Sequence, residues 1–285
     1  MNTDSDDAPL AVITGAVDGI GAALAELLAQ RGWRLVLLNR SVDRTRPLRE
    51  RMLALTPGLH CEVIETDLSD HTSIASSASM VKTQYRRVDA LFNNAGVLHK
   101  DLVQSRHGNE MHFEVNTVAP YLLTIALMPV LSAAAEQRGR SVVVTASSAV
   151  VKSAKRFLPD KLRTGVRGGV FGAYAQSKLA WAVLNTHLAR QSETGNIEFY
   201  AIDPGTTRSR MTKAGGGAPL PVRLMSRWLP APSRGAERLA AVLESDWSQP
   251  SGSMLVNGKR IDIPAGAADG ESMSRLISIL KDATK

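Results

Sequence analysis

The sequence is poor in cysteine and in long apolar runs, and each shortage excludes a class of protein. Cys61 is the only cysteine among the 285 residues, so the chain forms no internal disulfide, which is typical of a reducing compartment. No apolar run approaches the roughly 20 residues of a membrane-spanning helix. The first eight residues are polar and acidic, unlike the basic start and apolar centre of a signal peptide. We therefore expect a cytoplasmic protein without a membrane span.

Aromatic residues are also scarce, and this argues against nucleic-acid binding despite a formal net charge of +7. Aromatics make up 5% of the chain, no basic helix is interleaved with them, and no zinc-type Cys/His pairs occur, so we expect neither a nucleic-acid partner nor a metal. Basic residues cluster instead in one segment: Lys152, Lys155, Arg156, Lys161, Arg163 and Arg167. Two interpretations stay open for this cluster, an anionic substrate or a solvated surface.

Short apolar runs alternate with longer helical patterns along the chain. The runs at 10–13, 34–38, 61–65, 90–93, 141–146, 198–202 and 253–257 read as strands. Helical patterns occupy about 19–30, 43–55, 71–86, 108–135, 173–193 and 272–281. Continuous Val, Ile and Leu runs separated by helices predict a parallel sheet that is covered on both faces. Right-handed crossovers then give an α/β fold, a doubly wound (Rossmann-type), mostly parallel seven-stranded sheet with helices on both faces.

The chain shows no linker, so we predict one domain over 9–285 behind a flexible tail at 1–8. Two segments depart from the alternation of strands and helices. Residues 149–172 form a long basic loop, and residues 208–235 combine three consecutive glycines with four prolines around apolar side chains. Long loops in compact domains are usually functional, so we interpret 208–235 as a substrate lid, with an irregular surface excursion as the alternative.

A glycine-rich stretch at 14–21 follows the first strand directly and precedes an Ala/Leu-rich helix. Free N–H groups at the first turn of a helix, together with the helix dipole, bind anions such as phosphate. Gly15, Gly19 and Gly21 would keep Cβ atoms out of a tight turn against a pyrophosphate. Taken alone, the pattern fits a plain helix-entry turn equally well.

Tyr174 and Lys178 stand four residues apart, which places both on one face of a helix. A free tyrosine, with a pKa near 10, is a poor base at neutral pH. A neighbouring ammonium group favours the phenolate and lowers that pKa, as general acid–base catalysis requires.

Four further motifs accompany this pair, and the set as a whole resembles the short-chain dehydrogenase/reductase family. They are Asn93-Asn94-Ala95-Gly96 at the end of strand four, Thr145-Ala146-Ser147-Ser148 at the end of strand five, Asn116 in the long helix, and Asp203-Pro204-Gly205 after strand six. The resemblance runs from about Leu10 to the C-terminus, with every main motif in order.

The resemblance implies the following roles. Tyr174 exchanges the proton at the substrate oxygen, and Lys178 lowers the tyrosine pKa and holds the nicotinamide ribose. Ser148 hydrogen-bonds the substrate oxygen, with Ser147 as the less favoured alternative. Asn116 supports a water relay to Lys178, unless it is a helix-interior residue that only bonds backbone. The implied cofactor contacts are Gly15, Asp18, Gly19, Ile20, Gly21, Asn39, Arg40, Asp67, Leu68, Asn94, Ala95, Gly96, Tyr174, Lys178, Pro204, Gly205, Thr207 and Ser209.

The residue types at the end of strand two bear on the choice between NAD(H) and NADP(H). NAD enzymes place Asp or Glu there to bond the ribose 2′-hydroxyl, whereas this chain has Asn39 and Arg40. An arginine suits a 2′-phosphate, so we predict that NADP(H) is preferred over NAD(H). Asp18, directly before Gly19, opposes this preference if its carboxylate faces the phosphate.

The C-terminal part resembles the retinol-dehydrogenase-like branch of the family, whose members act on lipophilic carbonyls and alcohols. The resemblance rests on the stretch 251–259 and the short helix near 272–281, although Met254 and Leu255 replace the tyrosines of that motif. The gap of 26 residues between Ser148 and Tyr174 is longer than is usual in single-domain members of the family.

The expected reaction is hydride transfer between NADP(H) and a ketone, aldehyde or alcohol with hydrophobic bulk. A non-redox enzyme on the same scaffold (cyclase, isomerase or dehydratase) and a dinucleotide-binding regulator are the alternatives. The family resemblance also implies a homodimer or homotetramer.

Overall fold

The computed structural model describes residues 7–166, 172–191, 196–207, 229–264, 266–267 and 269–284. Within these ranges one sheet of eight strands runs through the molecule. The strands are β1 (Leu10–Thr14), β2 (Arg34–Asn39), β3 (Cys61–Glu65), β4 (Ala90–Asn93), β5 (Ser141–Ala146), β6 (Ile197–Asp203), β7 (Ser253–Val256) and β8 (Lys259–Ile261). Their order in the sheet is β3-β2-β1-β4-β5-β6-β7-β8, and every neighbouring pair is parallel except the last.

The eighth strand corrects the expectation of a seven-stranded sheet. β8 pairs antiparallel with β7 through a two-residue turn, Asn257 and Gly258, which both have positive φ (52° and 73°). Positive φ at both central residues matches the right-handed twist of the flanking strands, and Asn-Gly is the preferred sequence for such a turn. The turn signal was in the sequence, but only three residues follow it in β8 and two of them are charged.

Seven helices accompany these strands in the described ranges: α1 (Gly19–Gln30), α2 (Val42–Leu55), α3 (His71–Gln84), α4 (Met111–Arg138), α5 (Gly172–Gln191), α6 (Pro232–Ala240) and α7 (Gly270–Ala283). α6 was not predicted, because its first turn fell inside the predicted lid. Residues 208–228 of that lid lie outside the described residues, as do 1–6 of the predicted tail and 167–171 of the basic loop. The described part of the basic loop contains 3₁₀ turns at Ala149–Ser153 and Pro159–Lys161.

Two apolar clusters, one on each face of the sheet, form the core. Leu10 and Val12 of β1 point into the cluster with α3, α4, α5 and α7, whereas Ala11 and Ile13 point into the cluster with α1, α2 and α6. Side chains alternate along a strand, so a strand that is buried on both faces must be apolar throughout. This arrangement confirms the predicted doubly wound α/β fold.

α4 carries two features of its own. Among the described helices it alone is long and apolar enough to cross a membrane by length and composition, and 56% of its most apolar window is buried inside the protein. Its second turn is a π-turn, Glu114–Val118, between the α-helical segments Met111–Phe113 and Ala119–Arg138. π-turns are rare in helices, and those that occur are often found at functional sites.

The strand order reverses at β1, which lies between β2 and β4. In doubly wound sheets the crevice outside the carboxyl ends of the strands at this reversal is where ligands bind. The segments after β1, β4, β5 and β6 therefore surround one crevice.

Candidate active site

The turn between β1 and α1 is packed so closely that glycine is required at two positions. Gly15 has φ of 71°, and a Cβ there would lie 2.9 Å from the backbone Cα of Ala95. A Cβ on Gly21 would overlap the amide of Asn94 and the carbonyl oxygen of Gly15. The Asn94 Nδ2 donates to the carbonyl oxygens of Thr14 (2.9 Å) and Gly15 (3.2 Å), so the motif after β4 closes the turn.

Asn39 stabilises the same turn from the other side. Its Oδ1 accepts from the Ala16 N–H at 2.7 Å, and its Nδ2 donates to the Thr45 Oγ1 at 3.0 Å. The side chain is 2% exposed. Asn39 was predicted to contact the cofactor, but both ends of its amide are engaged inside the protein. The next residue, Arg40, is exposed at the end of β2.

Asp67 and Leu68 follow β3, as predicted for the adenine end of the crevice. The Asp67 Oδ1 accepts from both the backbone N–H (2.8 Å) and the hydroxyl (2.7 Å) of Ser69. Burial acts to raise the pKa of Asp67, but these hydrogen bonds and the charges of Arg40 and Arg106 outweigh it and hold the pKa below its ordinary value. Arg40 therefore lies within electrostatic range of an ionised carboxylate.

Tyr174 and Lys178 are buried on the first turns of α5, beside the ends of β5 and β6. The Lys178 Nζ donates to the carbonyl oxygen of Ala146 at 2.7 Å and lies 5.9 Å from the centroid of the Tyr174 ring. Burial lowers the pKa of Lys178 to about 8, against an opposing effect of the Asp203 charge. Burial raises the pKa of Tyr174 to about 12; a hydrogen bond with Ser148 acts to lower it, and the Asp203 charge raises it further. The tyrosine pKa is therefore not lowered beside Lys178 as predicted, because burial of the phenol is the larger effect.

Ser148 and Ser147 are distinguished by their contacts. Ser148, the N-cap of the following 3₁₀ turn, is hydrogen-bonded to the Tyr174 side chain and accepts from the Val150 N–H at 3.3 Å. Ser147 is buried, and its hydroxyl has no hydrogen-bond partner among the described residues. The geometry therefore favours Ser148 as the serine that works with Tyr174.

Asn116 lies in the π-turn of α4 and holds the chain after the Asn94 motif. Its Oδ1 accepts from the Val97 N–H (2.8 Å), and its Nδ2 donates to the Val97 carbonyl oxygen (3.1 Å) and the Ser177 hydroxyl (3.2 Å). A Cβ on Gly96 would lie 3.1 Å from the Asn116 Oδ1 and 3.4 Å from the Lys178 Nζ, so these side chains meet at one point. Asn116 does bond backbone, as its alternative interpretation held; the water relay stays a prediction.

β6 and α6 bring two groups to the site whose roles the sequence did not predict. Asp203 is buried and accepts from the Gly205 N–H at 3.0 Å; burial raises its pKa, while this hydrogen bond and the Arg238 charge act to lower it. The Arg238 Nη1 donates to the Pro204 carbonyl oxygen at 3.3 Å and occupies the position that a Cβ on Gly205 would take.

The other predicted residues occupy a range of positions around this crevice. Gly19 (φ 59°) and Ile20 begin α1 after the extended Asp18, and Ile20 packs against Gly235 of α6. Thr207 is buried, and Ser209 lies outside the described residues. Part of the basic cluster is engaged elsewhere, because the Arg163 Nε donates to the Asn109 Oδ1 at 2.9 Å. Among the described residues, no group of three or more His, Cys, Asp or Glu is arranged to hold a metal ion.

Comparison with known proteins gives consistent matches across the chain. The model of the family described as short chain dehydrogenase matches residues 9–159. Mouse retinol dehydrogenase 12 is 31% identical over 269 residues, covering 94% of this chain and 84% of that protein. Human polyprenol dehydrogenase is 30% identical over 206 residues, so the match spans 72% of this chain but only 62% of that enzyme. A metagenomic short-chain oxidoreductase solved in complex with NADP superposes with a TM-score of 0.65 at 26% identity, covering 88% of this chain and 97% of that one.

Proposed function

The chain belongs to the short-chain dehydrogenase family, and we propose that it transfers a hydride between NADP(H) and a ketone or aldehyde, or the corresponding alcohol. The observation that carries the proposal is the arrangement of Tyr174. Its hydroxyl is hydrogen-bonded to Ser148, and the Lys178 ammonium lies 5.9 Å from its ring centroid. An acid–base group, an oxygen-binding hydroxyl and a cation thus meet at the carboxyl end of the sheet.

The crevice fits a dinucleotide. Gly15 and Gly21 let the turn close tightly against Ala95 and Asn94 directly at the N-terminus of α1, where backbone N–H groups and the helix dipole favour a pyrophosphate. Asn94, Ala95 and Gly96 would line the middle of the cofactor, and Lys178 would hold the nicotinamide ribose. When bound, the cofactor supplies or accepts the hydride.

This chain's own residues handle the proton and the oxygen. In the reducing direction the Tyr174 phenol donates its proton to the substrate oxygen, while the Ser148 hydroxyl hydrogen-bonds the same oxygen and fixes its position. Burial keeps Tyr174 protonated before the reaction, because its pKa is raised to about 12. Tyr174→Phe should lose turnover and keep cofactor binding; activity near that of the wild type in this variant would refute the assignment.

The preference for NADP(H) rests on Arg40. Arg40 is exposed directly after β2, so its guanidinium can meet a 2′-phosphate in a planar, charge-assisted contact. We expect Arg40→Ser to weaken NADPH binding about tenfold and leave NADH binding unchanged, measured by cofactor fluorescence. Arg46→Ser is the matched control, because this arginine is exposed and its Nη2 lies 2.6 Å from the Asp43 Oδ1. Tighter binding of NADH than of NADPH by the wild type would overturn the preference.

The names of two relatives support a proposal for the substrate class. Retinol and polyprenol, the substrates named for two of them, are long isoprenoid alcohols, so a lipophilic carbonyl or alcohol is the proposed substrate. The test is NADPH consumption with all-trans-retinal against glyceraldehyde as a hydrophilic comparison. Preferential reduction of retinal supports the proposal. Substrate conversion without any change in NADPH absorbance would favour a non-redox reaction instead.

We further propose a cytoplasmic location, for which the single cysteine is the supporting observation.

A further inference from the structure

A buried carboxylate–imidazole pair lies against the ring of Tyr174. Glu110 and His112 each have side chains that are 2% exposed, and the Glu110 Oε1 lies 2.7 Å from the His112 Nδ1. The His112 and Tyr174 rings meet edge to face, with their centroids 5.9 Å apart and their planes at 69°. Neither residue was among the predicted site residues.

The start of α4 holds the Glu110 carboxylate in place. Glu110 is the N-cap of this helix, and its Oε2 accepts from the backbone N–H groups of His112 (2.9 Å) and Phe113 (3.2 Å). A carboxylate at a helix N-terminus is stabilised by the free N–H groups and by the helix dipole. The second carboxylate oxygen is thereby aimed at the imidazole.

The other ring nitrogen of His112 is also fixed. The backbone N–H of His99 donates to the His112 Nε2 at 2.9 Å, so this nitrogen acts as an acceptor. The ring proton then lies on Nδ1 and faces Glu110, which makes the imidazole neutral with one defined tautomer. Hydrogen bonds at both nitrogens prevent the ring from rotating.

α4 holds the chain after the Asn94 motif at two points. His112 binds the backbone of His99, and Asn116, one helical turn further on, binds the backbone of Val97. Residues 97–99 directly follow the glycine that approaches Lys178. His112 therefore contacts both the catalytic tyrosine and the wall of the dinucleotide crevice.

We propose that Glu110 and His112 are positioning residues that hold the Tyr174 ring in the orientation needed for proton transfer. The proposal rests on the role of Tyr174 in the proposed function. Glu110 fixes His112, and the locked imidazole, packed against the tyrosine ring, restricts that ring so that its hydroxyl stays at Ser148. A displacement of about 1 Å at a reacting group can cost a hundredfold in rate.

The test uses variants that separate the two hydrogen bonds from ring size. His112→Phe keeps an aromatic ring but loses the hydrogen bonds to Glu110 and to the His99 backbone. His112→Gln keeps a hydrogen-bond acceptor that can reach the position of Nε2. Turnover of all-trans-retinal is expressed per NADPH-binding site, so that misfolded protein is not counted. We expect His112→Phe to lower kcat about tenfold with KM changed less than about threefold, and His112→Gln to recover part of the loss.

His71→Gln is the matched control. His71 pairs with Glu114, a second buried carboxylate on α4, with 2.7 Å between the His71 Nε2 and the Glu114 Oε1. The described structure shows no ring contact between His71 and Tyr174; its ring stacks on His107. This variant should lower stability and leave kcat per site unchanged. Equal kcat losses in His71→Gln and His112→Phe, or an unchanged kcat in His112→Phe, would overturn the positioning role.

A substrate-free measurement separates failure of this proposal from failure of the proposed function. If the wild type reduces no carbonyl, the proposed function fails, and the positioning role is tested by NMR on protein carrying ¹³Cζ-labelled tyrosine. The Tyr174 signal, one of four, is identified by its loss in Tyr174→Phe. It should shift in His112→Phe and stay in place in His71→Gln. A Tyr174 signal that does not move in His112→Phe would refute the proposal.

Discussion

Lys178→Met should make the protein more stable while abolishing turnover. Lys178 is 3% exposed, and burial lowers its pKa from the ordinary 10.5 to about 8. At pH 7 the folded protein therefore holds an ammonium group in a place that disfavours its charge. Methionine has a similar length and carries no charge, so this cost disappears in the variant.

The pKa shift sets the size of the effect. Each pKa unit corresponds to about 1.4 kcal/mol, so keeping Lys178 charged in the folded state costs about 3 kcal/mol at pH 7. The variant loses the hydrogen bond to the Ala146 carbonyl oxygen, which offsets about 1 kcal/mol of this gain. We therefore expect a net stabilisation of about 2 kcal/mol and a rise of roughly 5 °C in Tm.

The same shift predicts how the difference changes with pH. Between about pH 8 and 10.5 the folded lysine has lost its proton while the unfolded lysine retains it, so wild-type stability rises with pH relative to the variant. Urea denaturation of cofactor-free protein at pH 7 and about pH 9.5 should show the advantage of Lys178→Met shrinking toward zero. Lys155→Met, at an exposed lysine, is the control. A wild type that is the more stable at pH 7, or a difference independent of pH, would refute the reasoning.

Three further predictions concern the cofactor turn and the proton. Gly21→Ala should abolish NADPH binding measured by fluorescence, because its methyl group would overlap the Asn94 amide; a normal Kd would contradict this. Asn39→Leu should cost about 2 kcal/mol in urea denaturation, because it leaves a buried turn N–H without its acceptor; a loss below about 0.5 kcal/mol would show that the bond is dispensable. Asp203→Asn should shift the pH profile of alcohol oxidation to lower pH, because the Asp203 charge, after burial, raises the pKa of Tyr174; an unchanged profile would exclude Asp203 from a role in proton transfer.

Most of the sheet could be predicted because its strands are buried on both faces. A continuous apolar run such as β5 can be recognised as a strand from the sequence alone. Each predicted strand lies within about one residue of its observed bounds. β8 and α6 could not be predicted in the same way. β8 is a short edge strand with two exposed charges, and α6 begins at Pro232 in a segment whose prolines and glycines indicated a loop.

The candidate site shows the same contrast between what the sequence predicts and what only the fold reveals. The positions of Gly21, Ser148 and Tyr174 at the crevice could be predicted because each residue belongs to a short sequence motif. The Glu110–His112 pair could not, because its contact with Tyr174 joins positions 62 residues apart and exists only in the folded protein. Asn39 shows the opposite case, in which the position was predicted but the direction of its side chain, into the glycine turn, was not.

Burial shifts the two central groups of the site in opposite directions for one physical reason. A low-dielectric surrounding disfavours any charge, so it raises the pKa of the Tyr174 phenol to about 12 and lowers that of the Lys178 ammonium to about 8. The buried Asp203 carboxylate acts on both groups and favours the protonated form of each. The pocket therefore keeps Tyr174 as a phenol, which is the form that the proposed carbonyl reduction uses as proton donor, and disfavours the phenolate that this step leaves. Burial that keeps the donor protonated also makes it a weaker acid, so the step needs a group that stabilises the phenolate, and the Ser148 hydrogen bond, which acts to lower the tyrosine pKa, is such a group.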